Sequence, residues 1–139
     1  MGIKSVQEMV AAAKAEISNI SPAEAKRRAD EEGALIVDIR DVRELQRTGV
    51  VPGAHHAPRG MLEFWIAPDS PYFQDVFAED REFIFHCASG WRSALTAKTL
   101  QDMGLERVSH IETGFTGWND DGMPVQPYDE WNAARKAAQ

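Results

Sequence analysis

The chain is short of cysteine and of positive charge, and it has no long apolar run. Each shortage removes a class of protein. One cysteine, Cys87, occurs in 139 residues. An internal disulfide and a cysteine-rich metal site are therefore excluded, and a reducing, cytoplasmic home is the expectation. Lys and Arg total 15 against 22 Asp and Glu, a net charge of −7. A nucleic-acid backbone or an anionic bilayer attracts a basic face, so neither nucleic acid nor membrane is expected as a partner. No stretch approaches the about 20 apolar residues of a membrane-crossing helix. The first eight residues lack the apolar core of a signal peptide. Val6 stands where a myristoylation signal carries Ser or Thr.

What remains is an ordinary globular composition, 43% hydrophobic and 27% charged. The length fits one domain with a core large enough to need no staple. The spacing of Val6, Met9, Val10 and Ile17 predicts a helix over 5–18. Ser21-Pro22-Ala23-Glu24 starts a second helix with a capping-box pattern, and Gly33 stops it. The runs 34–39, 83–85 and 108–111 read as parallel strands buried on both faces. Residues 40–53 read as polar and end in the turn signal Val51-Pro52-Gly53. A helix is expected from about Arg59, ending before Pro68, and another over 93–103, with Leu95, Thr99, Leu100 and Met103 inward. Residues 114–122 form a loop or short helix, and 129–139 a terminal helix. Strands alternating with helices imply an α/β fold, a central mostly parallel sheet with helices on both faces.

Chemistry concentrates where the strand at 83–85 runs into His86-Cys87-Ala88-Ser89-Gly90-Trp91-Arg92-Ser93. Gly90 permits the turn that the chain must make there. Backbone N–H groups of such a loop converge on one point, and the following helix adds partial positive charge. Arg92 adds a full charge. A thiolate is favoured in that field, and the same cradle holds the anionic part of a substrate. The competing reading is a small buried hydrophobe, the common fate of a lone cysteine. Position weighs against it, because ligands in open α/β sheets bind at the carboxyl edge of the strands.

Four stretches, in order, resemble a single-domain rhodanese. They are Val37-Asp38-Ile39-Arg40 with Glu44; Val51-Pro52-Gly53-Ala54 with Pro58; Cys87 to Ser93; and Gly114-Phe115 with Trp118, Gly122 and Pro124. The likeness covers residues 20–127. It leaves 1–19 as an N-terminal helical extension and 128–139 as a C-terminal helical tail. The resemblance implies the rhodanese-like three-layer fold and a sulfurtransferase. Cys87 would be the catalytic nucleophile, and Ala88, Ser89, Gly90, Trp91, Arg92 and Ser93 the substrate-binding loop. A persulfide would form on Cys87 from a small-molecule donor such as thiosulfate. It would pass to a thiol or cyanide acceptor, or to a protein thiol, with no metal and no organic cofactor. Ala88 departs from the Arg that many thiosulfate-using relatives carry after the cysteine.

The rival chemistry is that of a Cys-dependent phosphatase or arsenate reductase, whose loop reads His-Cys-x5-Arg-Ser/Thr. Here only four residues separate Cys87 from Arg92. A non-catalytic binding module is the third class, and a present cysteine with its loop argues against it. Among other candidates, Asp38 and Arg40 follow a buried strand and read as a structural ion pair before a support for the loop. Arg59 is weighed evenly as a collector of anionic donors and as a surface charge. Adjacent His55 and His56 point to opposite faces and are poorly placed to grip one metal together. His86, if extended, faces away from the thiol. Trp91 must line the pocket or cover it. Phe64, Trp65, Tyr72 and Phe73 are expected in the core.

Overall fold

A computed structural model describes residues 2–139. Five strands form one all-parallel sheet: β1 (Ser18–Ile20), β2 (Leu35–Asp38), β3 (His55–His56), β4 (Phe83–His86) and β5 (Val108–Ile111). Their order across the sheet is β1-β5-β4-β2-β3. Seven helices cover it: α1 (Val6–Lys14), α2 (Pro22–Glu32), α3 (Val42–Thr48), α4 (Leu62–Ile66), α5 (Trp91–Met103), α6 (Gly114–Asp120) and α7 (Tyr128–Ala137). Single 3-10 turns lie at Arg59–Met61 and Asp75–Ala78. This is the expected α/β architecture, a parallel sheet between two helical layers.

The two layers follow from strand geometry. Successive side chains point to opposite faces, so a strand buried on both sides reads as an unbroken apolar run. Ile36, Ile84 and Ile111 join Leu45, Phe115, Trp118 and Trp131 on one face. Val37, Phe83, Phe85 and Val108 join Leu62, Ile66, Phe77 and Leu100 on the other, and Cys87 continues that set.

Several expectations are corrected. The first helix ends at Lys14, not 18, and Ser18–Ile20 forms an edge strand paired with β5. The boundary expected after residue 19 thus falls inside β1. Val6 and Met9 are exposed, and the inward face of α1 is Val10 and Ala13, which pack on Ala94 of α5. On α5 the buried residues are Ser93, Ala94, Thr96, Ala97 and Leu100, whereas Met103 is exposed. Small residues face inward there because α1 lies across the helix. Phe64 and Tyr72 are exposed, not core.

The polar stretch 40–53 contains α3, whose first turn is closed by reciprocal bonds between Asp41 and Glu44. At α2 the Ser21 hydroxyl does accept from Glu24 N–H, but the Glu24 carboxylate pairs with Arg27 and Arg28. The terminal helix α7 is docked: Trp131 is 2% exposed, and its indole N–H donates to Ala54 O at 3.0 Å.

Candidate active site

All five strands point the same way, so their carboxyl ends share one edge of the sheet. Asp38 and His86 are register partners there, and His110 pairs with Phe85 and Asn19. Cys87 follows β4 directly. The chain then turns sharply, and α5 starts at Trp91, two residues earlier than the sequence suggests. Gly90 is the N-cap with φ 95, a conformation that disfavours side chains. A Cβ on Gly90 would lie 2.1 Å from Glu112 O, and one on Gly114 2.4 Å from Ala88 O. The loop is therefore pressed against the β5–α6 connection. Phe115 N–H donates to Cys87 O at 2.8 Å and Thr116 N–H to Ala88 O at 3.0 Å. These bonds clamp the loop.

The thiol is 1% exposed, and backbone amides reach its sulfur. Gly90 N–H donates to Sγ at 3.2 Å and Ser93 N–H at 3.4 Å. The Ser93 hydroxyl lies 3.6 Å from Sγ. Amides aimed at a sulfur stabilise negative charge on it, the requirement for a nucleophilic thiolate or an anionic persulfide.

Arg92 pairs with Glu44 through two bonds of 2.9 Å. That pairing, with a smaller push from the neighbouring Cys87 sulfur, raises Arg92 further above its ordinary value; the pairing also holds Glu44 below the usual carboxylate range. Arg59 pairs with Glu63 at 2.7 Å. Trp91, the first residue of α5, is 45% exposed.

Asp38 and Arg40 lie behind the loop. The Arg40 guanidinium binds both Asp38 oxygens at 2.8–3.2 Å, donates to Thr48 Oγ1 and Gly49 O, and stacks 4.2 Å above the Phe115 ring. Burial alone would raise the Asp38 carboxyl; the facing His86 and Arg40 outweigh it and hold it below its usual value. The pair ties β2 to α3 and to the α6 residue that anchors Cys87 O. It supports the loop without touching Sγ.

His86 does face away from the thiol. Its Nδ1 donates to Cys87 O at 3.1 Å, and full burial keeps the ring below the usual histidine range. His55 lies edge-on to Phe77, and His56 Nε2 bonds Arg40 O on the opposite side. His110 and Asn19, which no motif singles out, also meet at this edge. The His110 Nδ1 is 2.9 Å from Ser93 Oγ, and its Nε2 is 2.7 Å from Asn19 Oδ1. A histidine inside an apolar strand at the sheet's carboxyl end was the available signal.

Comparison with known proteins agrees with this geometry. The family model for the rhodanese-like domain matches residues 21–121. A sulfurtransferase from Allochromatium vinosum is 30% identical over 100 residues, covering 72% of this chain and 85% of that one. The thiosulfate sulfurtransferase GlpE of Glaesserella parasuis is 31% identical over 111 residues, covering 78% and 93%. A solved structure from Rhodopseudomonas palustris, described as a protein of unknown function and a possible tyrosine phosphatase, superposes with a TM-score of 0.86. It is 46% identical and covers 91% of this chain and 97% of that one. No helix among the described residues is long and apolar enough to cross a membrane. With sheet order, cysteine loop and sequence relatives in agreement, the chain belongs to the rhodanese-like domain family.

Proposed function

We propose that the protein transfers a sulfane sulfur through a persulfide on Cys87. The Cys87 thiolate attacks the terminal sulfur of a donor. The Sγ–S bond forms as the donor's own bond to that sulfur breaks, and the electron pair leaves on a thiolate or on sulfite. A thiol or cyanide acceptor then takes the outer sulfur and restores the thiolate. No metal or organic cofactor enters either step. The observation that carries this reading is the pair of amides, Gly90 N and Ser93 N, bonded to Sγ.

The same loop weighs against phosphoryl transfer, the activity suggested for the Rhodopseudomonas relative. Four residues between Cys87 and Arg92 make a tight ring of amides. A single sulfur atom fits at its centre, whereas a tetrahedral phosphoryl group needs a wider cradle. A phosphate dianion also needs a free cation, and Arg92 and Arg59 are both already paired with carboxylates. Those pairings and Ala88 favour a donor of lower charge, an organic persulfide, over dianionic thiosulfate. The relevant home is a reducing compartment that supplies such thiols, the cytoplasm.

The test is steady-state formation of thiocyanate from cyanide with polysulfide or thiosulfate, beside hydrolysis of an aryl phosphate. Turnover with polysulfide, lost in Cys87→Ser, is expected. Aryl phosphate hydrolysis without sulfur transfer would overturn the proposal.

A further inference from the structure

Asn19 of β1, Ser93 of α5 and His110 of β5 meet in one hydrogen-bonded line that ends on the reactive sulfur. The chemistry set out above uses only the Ser93 backbone. The line runs Cys87 Sγ to Ser93 Oγ at 3.6 Å, Ser93 Oγ to His110 Nδ1 at 2.9 Å, and His110 Nε2 to Asn19 Oδ1 at 2.7 Å. Its far end fixes its direction. Asn19 Nδ2 donates to Lys14 O at 2.9 Å and to Ile17 O at 3.2 Å, so Oδ1 is left as an acceptor. His110 Nε2 therefore carries a proton and donates it.

Two proton arrangements satisfy every group in this line. In one, the thiol donates to Ser93 Oγ, the Ser93 hydroxyl donates to Nδ1, and Nε2–H donates to Asn19. In the other, Nδ1–H donates to Ser93 Oγ, the hydroxyl donates to the thiolate, and Nε2–H still donates to Asn19. Passing from the first to the second breaks the S–H bond and forms an Oγ–H bond. The former hydroxyl proton forms the Nδ1–H bond. One proton moves in net terms, and nothing is oxidised or reduced.

We infer that His110, oriented by Asn19, accepts the Cys87 proton through Ser93 and so generates the attacking thiolate. Ser93 touches the reacting sulfur, and His110 is a positioning residue that acts through it. Cys87, Ser93 and His110 are each 1% exposed or less, so a proton leaving the sulfur needs an internal acceptor. Burial, with a smaller push from Lys14, lowers His110 to about 4, so in the resting protein Nδ1 is unprotonated and accepts a hydrogen bond, and it takes the proton only while the thiolate forms. A thiolate across Ser93 favours the imidazolium and offsets that push. Of the other charges nearby, Arg92 of α5 is held by Glu44 of α3 and also neighbours the Cys87 sulfur, and His86 of β4 faces Asp38 of β2.

The inference rests on Cys87 as the nucleophile, but its test needs no sulfur donor. Alkylation of Cys87 by iodoacetamide is followed by intact mass across the thiol titration range, with a thermal melt of each variant. Ser93→Ala and His110→Asn are each expected to slow alkylation about tenfold at neutral pH and to move the profile alkaline by about one pH unit. The double variant is expected to be no slower than the slower single, because members of one relay fail together. Asn19→Asp, which places a carboxylate on Nε2, is expected to move the profile the other way. Should His110→Asn fail to fold, Ser93→Ala removes one oxygen and keeps the test. A folded His110→Asn or Ser93→Ala variant whose profile superimposes on the wild type, or losses that multiply in the double variant, would overturn the relay. Absent sulfur transfer with the alkylation pattern intact would remove the proposed function and leave the relay standing.

Discussion

Replacing Gly90 by alanine separates two costs that the loop combines. The first is conformational: Gly90 has φ 95, and a side chain there costs about 1–2 kcal/mol. The second is steric. The new Cβ would lie 2.1 Å from Glu112 O, a backbone atom whose residue is held by its N–H bond to Ile20 O at 3.0 Å. Neither side can yield without opening the loop, and Gly90 N would withdraw from Sγ. Gly53 supplies the control, with φ 78 and open space around its Cβ position. Gly53→Ala should show the conformational cost alone. Gly90→Ala should lose about 3–4 kcal/mol in all, with strain and a displaced loop added together. At about 3–5 °C per kcal/mol for a domain of this size, its midpoint should fall by about 10–15 °C, against about 5 °C for Gly53→Ala. Thermal unfolding followed by circular dichroism measures both, and alkylation of Cys87 should slow only in Gly90→Ala. Equal melting points for the two variants would refute the claim that the loop is clamped against Glu112.

Three further outcomes follow from the charges. Glu44→Gln keeps an acceptor for Asp41 N–H but releases Arg92, so alkylation by anionic iodoacetate should rise several-fold relative to neutral iodoacetamide; an unchanged ratio would mean that Arg92 does not reach the sulfur. Asp38→Asn leaves Arg40, 1% exposed, without its counter-charge and should cost about 3–5 kcal/mol in denaturant unfolding. A loss below about 1 kcal/mol would show that Thr48 and Gly49 suffice. His55, His86 and His110 are all lowered in the fold, chiefly by burial. Below about pH 6.5 the unfolded chain therefore binds protons that the folded chain refuses, and the melting point should fall as pH drops from there towards 4. A melting point that rises over that window would contradict these burials.

The chain shows its own fold where the signal is local. The apolar runs at 34–39, 83–85 and 108–111 read as strands buried on both faces and contain β2, most of β4 and β5, and Gly90 after Cys87 marks the turn into α5. The misses are non-local or balanced. Ser18–Ile20 buries one residue of three and becomes a strand only because β5 lies beside it. His55–His56 is two residues long and is likewise defined by its partner. Helix α3 buries only Leu45 and is held by its cap, so its apolar pattern is thin. At the site, Cys87 and its loop are contiguous in sequence and were readable together. The engagement of Arg92 by Glu44 spans 48 positions, and the approach of Asn19 to His110 spans 91. No spacing rule reports contacts of that range.

The most direct test of the central claim is the intact mass of the reduced protein after brief exposure to polysulfide, and again after cyanide. The account predicts a gain of one sulfur atom that localises to Cys87, disappears with cyanide as thiocyanate forms, and is absent from Cys87→Ser. A protein that takes up no sulfur from polysulfide, thiosulfate or a persulfide, while Cys87 remains open to alkylation, would contradict it.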